Sequence, residues 1–177
     1  GMGVRVIHIS TDYVFSGDEH LPCRETDPIA PRTAYGRTKY AGEKKLLAVC
    51  PDAVILRTAW LYSSFGNNFV KTMIRLGQER NELGVVFDQI GTPTYAADLA
   101  EAIFTVIEAK VWQPGIYHFT NEGVCSWYDF TIAIHQIYGG IDCHVRPILS
   151  EEYPYKTPRP HYSVLDKGKF KKTFNVE

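Results

Sequence analysis

Residues 4–12 read Val-Arg-Val-Ile-His-Ile-Ser-Thr-Asp. Val4 to Ile9 are β-branched and almost continuously apolar, the composition of a strand covered on both faces in a parallel sheet. Ser10, Thr11 and Asp12 follow at its carboxyl end, and open α/β sheets hold their ligands outside that end of the strands. A stretch from Ser16 to Thr33 then carries Gly17, Asp18, Pro22, Asp27, Pro28 and Pro31. It is too punctuated for regular structure, and loops of this length in compact domains are often functional.

Working outward, the spacing predicts a helix over 34–49 with Ala41, Leu46 and Leu47 buried and Pro51 ending it. A short apolar strand over 53–56 runs into Arg57, Thr58 and Trp60. An amphipathic helix is expected over 68–78, with Phe69, Met73 and Leu76 on one stripe, and a short strand over 85–87. Leu99, Ile103, Val106 and Ile107 recur at helical spacing over 98–109, and 116–119 reads as a strand. Ser126 with Asp129 three residues on resembles a capping box opening a helix to Tyr138. A strand over 145–148 and a short basic helix over 166–174 complete the chain. Short apolar strands alternating with longer amphipathic helices are the α/β signature. There is no internal repeat, heptad or low-complexity tract.

The 177 residues are enough to bury a core without disulfide or metal staples. Nineteen Lys and Arg against 20 Asp and Glu leave a net charge of −1, which argues against nucleic acid or a polybasic membrane anchor as partner. No apolar run reaches the roughly 18–20 residues of a membrane span, and the first residues are not a cationic leader, so the expected location is the cytoplasm. Cys23, Cys50, Cys125 and Cys143 are scattered and form no CxxC pair, which favours free thiols. The six histidines show no HxxxH or HExxH spacing, so no zinc site is expected. Gly1 before Met2 reads as a residue left by expression.

Tyr35-Gly36-Arg37-Thr38-Lys39 places a phenol and an ammonium four residues apart at the start of a helix, on one face and about a turn from each other. Phenols titrate near 10, and a nearby cation favours the phenolate, which suits acid–base chemistry at a carbonyl. Two common residues also meet at this spacing on many solvated helices. Thr11 adds weight, because a hydroxyl at the sheet end can hydrogen-bond the same oxygen that a tyrosine protonates.

A longer series of motifs surrounds this group. It runs His8-Ile9-Ser10-Thr11-Asp12-Tyr13-Val14-Phe15, Glu25-Thr26-Asp27 with Pro31, then Tyr35-Gly36-Arg37-Thr38-Lys39 with Gly42-Glu43. It continues with Arg57-Thr58-Ala59-Trp60, Gly66-Asn67-Asn68-Phe69, and Asp88-Gln89 with Gly91-Thr92-Pro93-Thr94. In order and spacing it resembles the dTDP-4-dehydrorhamnose reductase family of the extended short-chain dehydrogenase/reductases. The resemblance implies reduction of the C4 ketone of dTDP-4-dehydro-L-rhamnose by NADPH, or less often NADH. Thr11, Tyr35 and Lys39 match the family's catalytic Ser/Thr, Tyr and Lys; the tyrosine protonates the alkoxide, and the lysine tunes it and holds the nicotinamide ribose. Asp12, Tyr13 and Trp60 match positions that hold the deoxysugar, and an aromatic face on sugar C–H groups with a carboxylate on hydroxyls suits that task. Structural readings stand beside these roles: Trp60 as core, Asp12 as a loop cap, Tyr13 as packing, and Asn67 and Asn68 as helix caps. Arg159, between Pro158 and Pro160, could meet a diphosphate but reads more simply as a solvated loop arginine. Trp127, Tyr128 and Phe130 read as packing.

The glycine-rich turn of a dinucleotide-binding half is absent: no GxGxxG or GxxGxxG occurs. By the resemblance, the first strand matches the family's fifth, and on the order of 100 residues would precede it at about 30 per βαβ unit. The expected fold is therefore α/β, an incomplete Rossmann-like, doubly wound parallel sheet with a small α/β substrate-binding lobe. Residues 3–62 and 92–120 are expected to form the remainder of the NAD(P)-binding domain, and 63–91 and 121–177 the lobe. This chain alone is expected to bind NADPH weakly and to show little activity. Val4 to Ile9 would present an exposed edge, expected to be covered by self-association. Some members of the family carry Mg²⁺ at a dimer contact, and no residue set here places it. Alternative functions are another nucleotide-sugar 4-ketoreductase or epimerase of the superfamily, or a noncatalytic subunit like the regulator of methionine adenosyltransferase. Intact Thr11, Tyr35 and Lys39 favour chemistry.

Overall fold

The computed structural model describes residues 3–154 and 157–176, so Gly1 and its neighbour Met2 lie outside the described residues. In chain order the elements are β1 (Ile7–Thr11), α1 (Ala34–Val49), β2 (Val54–Thr58), β3 (Leu61–Tyr62), α2 (Phe69–Glu79), β4 (Glu82–Val86) and β5 (Ile90–Gly91). They continue with β6 (Thr94–Tyr95), α3 (Ala96–Glu108), β7 (Gly115–His118), β8 (Cys125–Ser126), α4 (Trp127–Tyr138), β9 (His144–Ile148) and α5 (Gly168–Phe174). The expected α/β architecture is present: every strand pair except β5 with β8 is parallel.

The main sheet has the order β1-β2-β7, with Ser10 opposite Arg57 and Thr11 opposite Thr58. All five residues of β2 are buried, as a central strand covered on both faces requires. Val54 and Leu56 pack with Leu99, Ala102 and Val106 of α3, Tyr117 of β7 and Phe170 of α5. Alternation along β2 turns Arg57 away from that core, toward Glu43 of α1. The sheet thus lies between α1 on one face and α3 with α5 on the other. A second core joins Met73 of α2, Leu83 and Val85 of β4, Ile134 of α4 and Val145 of β9, beneath the parallel pair β4 and β9. Val14, Phe15, Cys23 and Leu165 form a third cluster, tied by the bridge of Cys23 with Leu165.

Several sequence expectations shift, among them the short strand expected over 85–87, which runs instead over Glu82–Val86 where it pairs with β9. The first strand begins at Ile7, because pairing with 54–58 starts there, and Val4 stays 65% exposed. The second strand does not stop at Leu56 but continues through Arg57 and Thr58, since Glu43 neutralises the arginine inside the fold. In α1 the buried residues are Gly36 and Glu43, while Ala41, Leu46 and Leu47 are half-buried. The caps match expectation: Asn68 accepts from the Lys71 amide, and Ser126 and Asp129 form a reciprocal capping box. The four cysteines are free thiols. No helix among the described residues is long and apolar enough to cross a membrane.

Candidate active site

β1 and β2 end side by side, and the chain leaves β1 through a short 3₁₀ turn, Asp12–Val14. Thr11 caps that turn. Its hydroxyl accepts from the Tyr13 amide at 3.2 Å and donates to Asp12 Oδ1 at 2.9 Å. The other carboxylate oxygen, Oδ2, is buried without a hydrogen-bond partner. Burial pushes the Asp12 carboxyl up to about 7, against the opposing pull of the Thr11 hydroxyl. Burial, and behind it the Asp12 charge, raises the Tyr13 phenol above its ordinary value.

α1 begins beside this turn. Thr33 caps it by accepting from the Gly36 amide at 3.0 Å. Gly36 lies so close to the turn that a Cβ there would stand 2.2 Å from the Tyr13 carbonyl oxygen. Tyr35 is 54% exposed, and its ring meets Tyr13 edge-on, with centroids 5.5 Å apart. One turn on, the Lys39 ammonium donates to the Ile9 carbonyl at 2.7 Å. Thr11, Tyr35 and Lys39 therefore gather around the carboxyl end of β1, the grouping that the family resemblance implied.

The next feature is aromatic. Trp60 adopts φ 49°, in the left-handed region that non-glycine residues rarely use. Such a conformation persists only where surroundings over-determine it. Here its indole stacks on Trp127, centroids 3.4 Å apart and 8° from parallel. Gly91 makes room: a Cβ at that position would lie 2.5 Å from the Trp60 ring. The pairing of β5 with β8 sets Ile90 opposite Ser126, which brings Trp127, the first residue of α4, to the same place.

A cavity of about 230 Å³ is lined by Asp12, Tyr13, Trp60, Gln89, Trp127, Arg159, Pro160 and Ser163. It adjoins a larger cleft of about 620 Å³ that shares Tyr13, Gln89, Arg159 and Pro160 and runs on past Phe15, Arg32, Ser150 and His161. Gln89 and Arg159 also line a third cavity, between α2 and β4, and so stand where all three meet. Gln89 is held by donating to the Ser150 hydroxyl at 2.8 Å, which in turn donates to Asp88 at 2.7 Å. A small cavity with a carboxylate and two indoles, continuing past an arginine into a longer cleft of mixed polar and apolar lining, suits a sugar joined to a larger anionic group.

The structure thus brings Asp12, Tyr13 and Trp60 to one cavity. Thr11, Tyr35 and Lys39 do not line it; Tyr13 lies between Tyr35 and the cavity, touching Tyr35 on one side and the cavity on the other. Trp127, read from the sequence as packing, both packs and lines the cavity. Arg159 is exposed, as a loop arginine should be, yet stands at the junction. Gln89 and Ser163 carried no sequence signal beyond the membership of Gln89 in a quoted motif. Among the described residues, no group of three or more His, Cys, Asp or Glu side chains could hold a metal ion.

The chain is similar to known proteins in sequence and in fold. Residues 1–177 match the family described as the RmlD substrate binding domain. The spore coat polysaccharide biosynthesis protein SpsK of Bacillus subtilis is 48% identical over 164 residues, 93% of this chain and 56% of that protein. The dTDP-4-dehydrorhamnose reductase of Escherichia coli is 41% identical, covering 98% of this chain and 60% of its own length. The crystal structure of dTDP-4-dehydrorhamnose reductase from Bacillus anthracis in complex with NADP superposes with a TM-score of 0.89 at 43% identity, over 97% of this chain and 59% of that one. The chain therefore spans a little over half the length of these relatives.

Proposed function

Since the chain belongs to the RmlD substrate-binding domain family, we propose that it supplies the substrate site and the proton-transfer group of an NADPH-dependent reductase. Its substrate is dTDP-4-dehydro-L-rhamnose, whose C4 ketone becomes the hydroxyl of dTDP-L-rhamnose. The reaction belongs to cytoplasmic deoxysugar synthesis for bacterial surface polysaccharide. The observation that carries this reading is the gathering of Thr11, Tyr35 and Lys39 at the end of β1 beside a cavity that holds Asp12 and Trp60.

In this reading the sugar packs on the Trp60 indole at the cavity, with Asp12 accepting its hydroxyls, its C4 end lying past Tyr13 toward Tyr35 and its diphosphate toward Arg159. Thr11, on turning its hydroxyl proton from Asp12 Oδ1 to the substrate, orients the C4 carbonyl, and Tyr35 gives its phenolic proton to the oxygen as the ketone is reduced. Lys39, whose ammonium donates to the Ile9 carbonyl, places a positive charge one turn from Tyr35 and would hold the nicotinamide ribose. A reduced nicotinamide supplies the hydride when bound. The residues present fit the nicotinamide end of such a cofactor, because the Tyr35 ring is more than half exposed beside the Lys39 ammonium, both at a strand's carboxyl end. Thr11, Tyr35 and Lys39 then act through positioning and transition-state electrostatics, which need them fixed relative to one another.

The test has two arms. Titration of this chain with dTDP, followed by tryptophan fluorescence, should show saturable binding that Trp60→Ala weakens. In the protein of full family length, NADPH oxidation should depend on the dTDP-4-ketosugar, and Tyr35→Phe should lower kcat at least about 100-fold. Undiminished turnover by Tyr35→Phe overturns the role of Tyr35. Binding of dTDP without any turnover by the parent would favour a noncatalytic binding protein.

A further inference from the structure

We infer that Glu43 and Arg57 are positioning residues, whose buried ion pair fixes α1 against β1 and β2 and thereby sets where Tyr35 and Lys39 stand. The inference rests on the reading of Tyr35 and Lys39 given above. Tyr35, Lys39 and Glu43 follow one another at intervals of four, on one stripe of α1, each step rising about 6 Å. Glu43 and Arg57 are each 1% exposed. Arg57 donates through Nε to Glu43 Oε1 at 2.9 Å and through Nη2 to Oε2 at 2.7 Å. The Ser10 hydroxyl donates to the same Oε1. Ser10 and Arg57 are register partners on adjacent strands, one residue before Thr11 and Thr58. A single carboxylate from the helix is therefore tied to both strands immediately below the proposed reacting group.

Apolar packing does not fix this helix on its own. Its aliphatic residues Ala41, Leu46 and Leu47 are only half-buried, and its wholly buried positions are a glycine and this glutamate. A greasy, partly covered helix can rotate or slide at small cost, whereas a bidentate arginine–carboxylate pair accepts one geometry. Sliding by one residue would move Tyr35 about 1.5 Å and turn it about 100°. The Lys39 bond to the Ile9 carbonyl and the close approach of Gly36 to the Tyr13 carbonyl hold the same helix higher up. Phe15 covers the guanidinium from the far side, with its ring 5.3 Å away, while Arg57 Nη1 is left without a partner. A buried ion pair is a poor source of stability compared with apolar residues of similar volume. Geometry is the better account of this one.

The experiment replaces both partners, Glu43→Leu with Arg57→Met, so that no charge is left uncompensated. It is run on protein labelled with 3-fluorotyrosine, the Tyr35 resonance being assigned with Tyr35→Phe. The double variant should stay folded in urea titration and bind dTDP within about twofold of the parent, while its Tyr35 resonance moves. Turnover at full family length should fall 10- to 100-fold in kcat with KM little changed, the scale expected when a reacting group is misplaced by about 1 Å. Arg57→Lys, which keeps the charge and loses the fork, should give an intermediate kcat. Ser10→Ala, which keeps the ion pair, should move the Tyr35 resonance less and serves if the double variant fails to fold. An unmoved resonance in these variants overturns the inference, as does a common loss of stability, dTDP affinity and kcat. Absence of turnover in the parent would overturn the reductase reading instead, and the Tyr35 resonance would still decide the positioning.

Discussion

Asp12→Asn is expected to stabilise the protein, and to do so more at pH 8 than at pH 5. Asp12 is 4% exposed, its Oδ2 has no hydrogen-bond partner, and burial pushes its carboxyl from 3.8 up to about 7. An acid whose pKa is higher in the folded state holds a proton there that the unfolded chain has released. Stability then falls as pH rises between the two values and levels off above the upper one. The window runs from about 4 to about 7. Between pH 5 and pH 8 the folded protein crosses about two pH units of it, and at 1.36 kcal/mol per unit that amounts to roughly 2–3 kcal/mol. Asparagine keeps the shape and cannot ionise. The variant's advantage in unfolding free energy should therefore grow by about 2–3 kcal/mol across that range. Urea unfolding at pH 5, 6, 7 and 8 on both proteins measures it, with m-values compared to verify that the same transition is followed. Other groups that titrate here, such as His8, whose pKa burial lowers, cancel in the difference. A pH-independent difference would refute the buried, half-satisfied carboxyl. The same variant should bind the dTDP-ketosugar less well, because a charge that burdens the fold is retained where a ligand uses it.

Gly36→Ala should destabilise by about 1–3 kcal/mol in thermal unfolding, since its Cβ would lie 2.2 Å from backbone oxygen and the start of α1 must move. The sign is diagnostic, because the same change in an open helix stabilises. Gly91→Ala should part the two indoles, its Cβ falling 2.5 Å from the Trp60 ring. Loss of the exciton band of the stacked pair in circular dichroism, with weaker sugar binding, is the readout; a retained band would show that the stack can shift as a unit. Ser126→Ala should cost about 1 kcal/mol at neutral pH by removing the N-cap of α4. Ser126 also holds the Asp129 carboxyl below its ordinary value, which adds stability that is lost as pH falls through the folded value. The cost of the substitution should accordingly shrink in acid, as urea titrations at pH 7 and pH 3 would measure.

Much of the fold was legible because the forces that set it act over a few residues. The apolar run ending in Ser10 to Asp12 marked a parallel strand and its carboxyl end, although β1, at the edge of the sheet, leaves Ile7, His8 and Ile9 half-buried where cover on both faces was expected. The Ser126 and Asp129 spacing marked the start of α4, and Asn68 the start of α2, because side-chain oxygens there satisfy orphan amides. The two-residue strands β3, β5, β6 and β8 left no periodic trace, since each pairs with its partner strand through two positions only. Arg57 misled in the same way: a charge after an apolar run read as the end of a strand, because its neutralisation by Glu43 of α1 is a tertiary contact.

By itself the sequence determined roughly where the longer strands and the helices lie, and that Tyr35 and Lys39 share a helix face, because period and capping are local. Tertiary structure alone decided that this face meets the end of β1, that Trp60 stacks on Trp127, and that Gln89 and Arg159 stand at one junction. It also decided that Asp12 is buried with an unpaired oxygen. These depend on which faces of distant segments cover one another. Burial and charge pairing, unlike periodicity, have no value until the covering partner is in place.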